Sequence, residues 1–115
     1  MPSNYIAHGL AAIVSLFFVV GGVINIIAPT HIRQDYERWG YPNWFHYLTG
    51  FLELLAALLI IIPMTRIAGS ALGGAVMAAA VATLIWHGSF PRAIVPAVAL
   101  LIIAANAIFA TRLAG

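Results

Sequence analysis

A chain of 115 residues in which 63% are apolar and 7% charged stands far from soluble domains, which run to about 45–50% apolar and about 25% charged. Such a chain could not cover its own surface with polar groups in water. Its charge of +2, five arginines against three acids and no lysine, is too small for a nucleic-acid footprint, and its lack of cysteine excludes disulfides, thiol redox pairs and Cys-ligated metals.

The remaining class is all-α and integral to a membrane. The first apolar run covers residues 5–28 and stops at Pro29, which cannot continue a helix. Its flank lacks the basic region of a signal peptide, so it is expected to be a retained helix. Residues 30–39 differ in kind. Ile32, Tyr36 and Trp39 recur at helical spacing with Arg33, Asp35, Glu37 and Arg38 between them. This predicts a short interfacial helix, capped by Thr30, with its aromatics at headgroup level. Gly40-Tyr41-Pro42-Asn43 then turns the chain back. The second predicted helix, residues 46–64, is apolar from Tyr47 onward apart from Thr49 and Glu53, and ends in a tight Pro63-Met64-Thr65-Arg66 turn. The third covers residues 67–87 and the fourth residues 92–112, closed by Arg112. A spanning helix needs about 20 residues, and each run approaches or exceeds that length. Continuous rather than alternating apolarity selects helices over a barrel, and the lack of a charged face excludes a soluble bundle. The expected architecture is one transmembrane domain over residues 1–115: a four-helix bundle with an interfacial helix between the first two spans.

The third run is rich in small residues. Gly69 and Gly73 form one row, Ser70, Gly74, Ala78 and Ala82 a second, and Ala71, Ala75, Ala79 and Thr83 a third. Small faces let membrane helices approach closely, so this helix is expected to be central, with Gly21-Gly22 acting likewise in the first helix. Any of these rows could also serve a homodimer or a partner membrane protein. Arginines divide two against three between the sides, so the positive-inside rule does not fix the orientation. The side bearing the termini is expected to be cytoplasmic, because the aromatic, acid-containing loop reads as an outer cap.

At about 1.5 Å per residue, Asn25 lies roughly 5 Å below the capped side, Thr83 roughly 6 Å and Glu53 roughly 9 Å, with His87 at the boundary. Trp86, Trp39 and Tyr41 border this layer. An ionisable group at such depth costs roughly 2.5–3.5 kcal/mol and usually faces the bundle interior. The candidate binding residues are therefore Asn25, Glu53, Thr83, Trp86, His87, Trp39 and Tyr41. Glu53 either anchors a ligand in a polar pocket or clasps two helices through Asn25 or a hydroxyl, and one carboxylate can do both. His46 and His87, as helix-end residues, are expected to meet headgroups rather than haem. No HxxxH or HExxH pair suggests a metal site, and no nucleophile–base pair or cofactor motif points to catalysis.

Several features in this order resemble the DoxX-like family of small membrane proteins. They are Gly21-Gly22-Val23-Ile24-Asn25 closing the first helix, Trp39-Gly40-Tyr41-Pro42, Gly50-Phe51-Leu52-Glu53, Thr65-Arg66, and the alanine-rich third helix ending near His87. Relatives often carry lysine where this chain has Asn25, so Glu53 here lacks that cation. The resemblance implies a four-helix protein of the bacterial inner membrane, with some members tied to quinone-linked redox complexes and distant ones to receptor assembly. Two functions follow as expectations. The first is a non-enzymatic protein that binds a lipid-like ligand or assists a partner membrane protein. The second is the membrane subunit of a quinone-linked oxidoreductase, with Glu53 transferring protons. Membrane lipids are the expected surroundings, nucleic acid is excluded, and a quinone or other lipid is the only cofactor the residues suggest.

Overall fold

The computed structural model describes the backbone of residues 2–114 and the side chains of residues 5–108. The side chain of Arg112 lies outside the described residues. Among the described residues five helices follow one another: α1 (Pro2–Ile27), α2 (Thr30–Arg38), α3 (Phe45–Ile61), α4 (Arg66–Trp86) and α5 (Ile94–Ala114). Short 3-10 turns at Pro63–Thr65 and Phe90–Ala93 lead into α4 and α5. The second apolar run therefore leaves the α-helix at Ile61, three residues earlier than the pattern predicts, because Pro63 cannot supply a helical N–H.

Tyr5–Ile27, Pro63–Trp86 and Phe90–Ile108 are long and apolar enough to cross a membrane, and α3 adds a shorter apolar helix of 17 residues. The molecule is 47 Å long, against about 40–45 Å for a bilayer with its headgroups. Its exterior carries Ile13, Leu16, Phe51, Leu58 and Leu101, all exposed, a surface that lipid solvates and water does not. This is a multi-pass integral membrane protein built as a helical bundle.

The four long helices form a ring. α1 packs against α3 and α5, and α4 closes the ring against the same two. Across the middle Phe18, fully buried, rests where Gly73 has no side chain. No helix is central, which corrects the expectation for α4. Its Gly69–Gly73 row lies against α3 and Phe18, and Gly74 meets Leu100 and Ile103 of α5. Of its third row, Ala71, Ala75 and Ala79 are exposed and Thr83 is half-buried. In hydrocarbon, burial from water no longer drives association, so helices meet where backbones can come near. Gly22 and Gly50 make the α1–α3 crossing in this way: a Cβ on Gly50 would lie 2.6 Å from the Gly22 carbonyl oxygen.

The last carbonyls of a membrane helix need partners that water cannot supply. At the end of α3 they find them in the next turn. Thr65 Oγ1 donates to Leu59 O (2.7 Å), Arg66 Nε to Ile60 O (2.7 Å) and Arg66 Nη2 to Ile61 O (3.2 Å). Arg66 is only 4% exposed, so this end of the bundle is a polar knot rather than a plain arginine-bordered turn. Helix α2 ends in a Schellman motif, with Tyr41 N–H donating to Tyr36 O, Gly40 N–H to Glu37 O, and Gly40 at φ +81°. Gly88 (φ +74°) closes α4 by the same device. Thr30 does not cap α2: Pro29 holds the capping position, its carbonyl receiving Ile32 and Arg33 N–H, and no side-chain cap bond forms.

Candidate functional site: a polar cavity beneath the cap

Helices α3 and α4 are held close near their shared turn, where a Cβ on Gly69 would overlap the backbone of Ile60. Towards the opposite end a cavity of about 270 Å³ lies between them, walled by Leu52 and Glu53 of α3 and by Val76, Ala79 and Thr83 of α4. Helix α2 and the segment after it form its roof through Tyr36, Trp39 and Tyr41.

Three side-chain links tie that roof to the bundle. Tyr36 Oη donates to Asn25 Oδ1 of α1 (2.9 Å). The hydroxyls of Tyr41 and Thr83 share a hydrogen bond of 2.7 Å across to α4. Asp35, buried, pairs with Arg38 of its own helix and with Arg92 beyond α4, where Nη2 and Oδ2 are 2.5 Å apart. The Arg92 guanidinium also lies 5.8 Å from the Trp39 ring centroid.

Glu53 sits at the bottom of this arrangement, 4% exposed. Asn25 Nδ2 donates to its Oε1 at 3.2 Å and also to Gly21 O at 3.0 Å. Oε2 lies where a Cβ on Gly21 would be, so the glycine makes the room that the carboxylate occupies. Asn25 thus joins Tyr36 to Glu53, and the clasp and the cavity wall are the same group. Outside the membrane-spanning segments, burial raises the Tyr36 phenol above its ordinary value of 10.0 and keeps it a donor.

Of the seven residues singled out from the sequence, Asn25, Glu53, Thr83, Trp39 and Tyr41 line the cavity. Trp86 and His87 do not. Trp86 is 87% exposed; three residues past Thr83, at about 100° per residue, it is rotated off the cavity face. His87 is exposed, and its Nδ1 donates to Thr83 O (3.0 Å) as part of the α4 terminus. His46 is corrected too: it is buried, with Nδ1 2.9 Å from Asn25 O, and closes the end of α1 rather than meeting headgroups.

Sequence reasoning missed Tyr36, Asp35, Thr49 and Arg92 as lining residues. Tyr36 was legible only as an apolar-face aromatic, and Asp35 and Arg92 are 57 positions apart in the chain. At the other end Asn106 is 1% exposed and donates to Ser70 Oγ (2.9 Å), an interhelical bond between α5 and α4. No group of three His, Asp or Glu side chains suited to a metal occurs among the described residues.

No curated protein and no solved structure matches the chain. The model of the DoxX-like family matches residues 9–106, from the first turns of α1 to the buried asparagine of α5, and the chain belongs to that family.

Proposed function

We propose that this protein binds a lipid-like ligand, whose head enters the cavity beneath the cap and whose tail leaves between α3 and α4 into the bilayer. One observation carries this reading. A buried carboxylate with one partnered oxygen lines a cavity that also offers the apolar Leu52, Val76 and Ala79. A volume of about 270 Å³ falls just below the range of sites for drug-sized molecules, which suits a headgroup better than a whole lipid. The exposed Ala71 and Ala75 of α4 lie on the face on which a second copy or a partner membrane protein would pack. The bacterial inner membrane is the proposed location, with the cap outward.

The test is extraction. Protein purified in mild detergent, stripped with organic solvent and read by mass spectrometry and absorbance should release one amphiphile in near-stoichiometric amount. Glu53→Gln should release much less at similar thermal stability, since the amide keeps hydrogen-bonding capacity. A redox-active quinone in the extract would favour instead an oxidoreductase subunit with Glu53 in proton transfer. An extract holding only bulk lipid from both forms would sink both readings.

A further inference from the structure

We infer that the head the cavity takes is an alkylammonium, a cationic nitrogen on a hydrocarbon tail; this rests on the ligand-binding reading above. The Glu53 carboxylate is buried, and among the described residues its only hydrogen bond comes from the neutral amide of Asn25. No arginine forms an ion pair with it among the described residues. Arg92, the one arginine lining the cavity among the described residues, is committed to Asp35. A carboxylate taken out of water without a cation is costly, and a cation that arrives beside it recovers Coulomb energy in a medium that screens little.

The walls add a second attraction. Tyr36, Trp39, Tyr41 and Phe45 all line the same cavity. Their rings cluster, with centroids 4.6 Å apart for Tyr41 and Phe45, 5.6 Å for Tyr36 and Trp39, and 6.3 Å for Trp39 and Tyr41. Aromatic faces attract an ammonium through their quadrupoles, most strongly where water is excluded. An anionic head would meet Glu53 and Asp35 instead, and a neutral alcohol would gain one hydrogen bond and no charge pairing. Leu52 and Val76 receive the first carbons of the tail.

Trp39 reports on occupancy once Trp44 and Trp86, both exposed, are replaced by phenylalanine. In maltoside micelles, dodecyltrimethylammonium should change Trp39 emission saturably, while dodecanol and dodecyl sulfate at equal concentration should not. Glu53→Gln should weaken the cation's binding by about tenfold or more, because the Coulomb attraction to the carboxylate is lost. Asn25→Lys should weaken it similarly, because an internal ammonium then stands where the Asn25 amide sits 3.2 Å from Glu53, although the Tyr36 phenol loses its acceptor. Nanodiscs with and without phosphatidylethanolamine separate the two sources of the group. Competition by that lipid identifies a headgroup, and its failure to compete identifies a free amphiphilic amine. Equal responses to all three probes, or unchanged affinity in both variants, would overturn the ammonium assignment and leave the lipid-like reading standing. No response to any probe, with no amphiphile in the solvent extract, would remove that reading itself.

Discussion

Asn25 holds Tyr36 and Glu53 at once: its Oδ1 accepts from the phenol at 2.9 Å while its Nδ2 donates to the carboxylate at 3.2 Å. One side chain at the end of α1 therefore couples the roof of the cavity to its floor. Asn25→Ala should destabilise the protein by about 2–4 kcal/mol, since it strands two polar groups at once. Tyr36→Phe should cost only about 1 kcal/mol. Detergent-denaturation midpoints of the two variants, compared with the parent, check the ratio.

Gly21→Ala should act on the site rather than on the bundle. The added methyl would occupy the place of Glu53 Oε2, and the end of a glutamate side chain moves more readily than backbone does. The expected outcome is loss of co-extracted ligand with a melting temperature near the parent's. Gly50→Ala, by contrast, should lower the melting temperature sharply, because its methyl meets the Gly22 backbone. Equal effects of the two would contradict this division.

Alkali should loosen the cap. Because burial raises the Tyr36 value above 10.0, its contribution is complete below about pH 10 and is lost as pH rises through the folded value. Hydrogen exchange in α2 should quicken there, and Tyr36→Phe should remove that step while leaving slower exchange elsewhere unchanged.

Arg66→Leu should be among the most damaging substitutions. It leaves the buried Ile60 O, and the part-buried Ile61 O beside it, without their donors, at about 1–3 kcal/mol for a stranded buried carbonyl. Arg66→Lys should recover only part of this, because one ammonium cannot reproduce the guanidinium fork. Thermal unfolding of both variants in the same detergent gives the comparison.

Orientation can be read by labelling, since the chain has no cysteine of its own. With the cap outward, Asn43→Cys should react with a membrane-impermeant maleimide on intact cells. Met64→Cys, at a site 96% exposed in the opposite turn, should react only after permeabilisation. The reverse pattern would invert the proposed topology.

Much of the fold was legible because the bilayer simplifies the problem. Apolar runs broken by Pro29, Pro63 and Pro91 leave few alternatives to helices, and Gly40 and Glu53 stood out as exceptions with a reason. The site was legible by depth, which gathered Asn25, Glu53 and Thr83 from three helices. It was not legible by rotation. Trp86 shares the depth of the layer yet faces outward, and His46 turns inward from the start of its helix. The Asp35–Arg92 pair depends on how two loops fold over one end of the bundle, which no local pattern encodes.

The brevity of α3 has a mechanical consequence for the surrounding membrane. Seventeen residues rise about 25 Å, short of the roughly 30 Å of an average hydrocarbon core. Lipids bordering that flank meet a wall about one helical turn too low, whereas those beside α1 meet one of full height. The annulus must pucker on one side only, at a modest energetic cost for each ångström of mismatch. Thinner bilayers relieve that distortion, so lipid chain length becomes a control on where the molecule resides and on how far its neighbours bend to meet it.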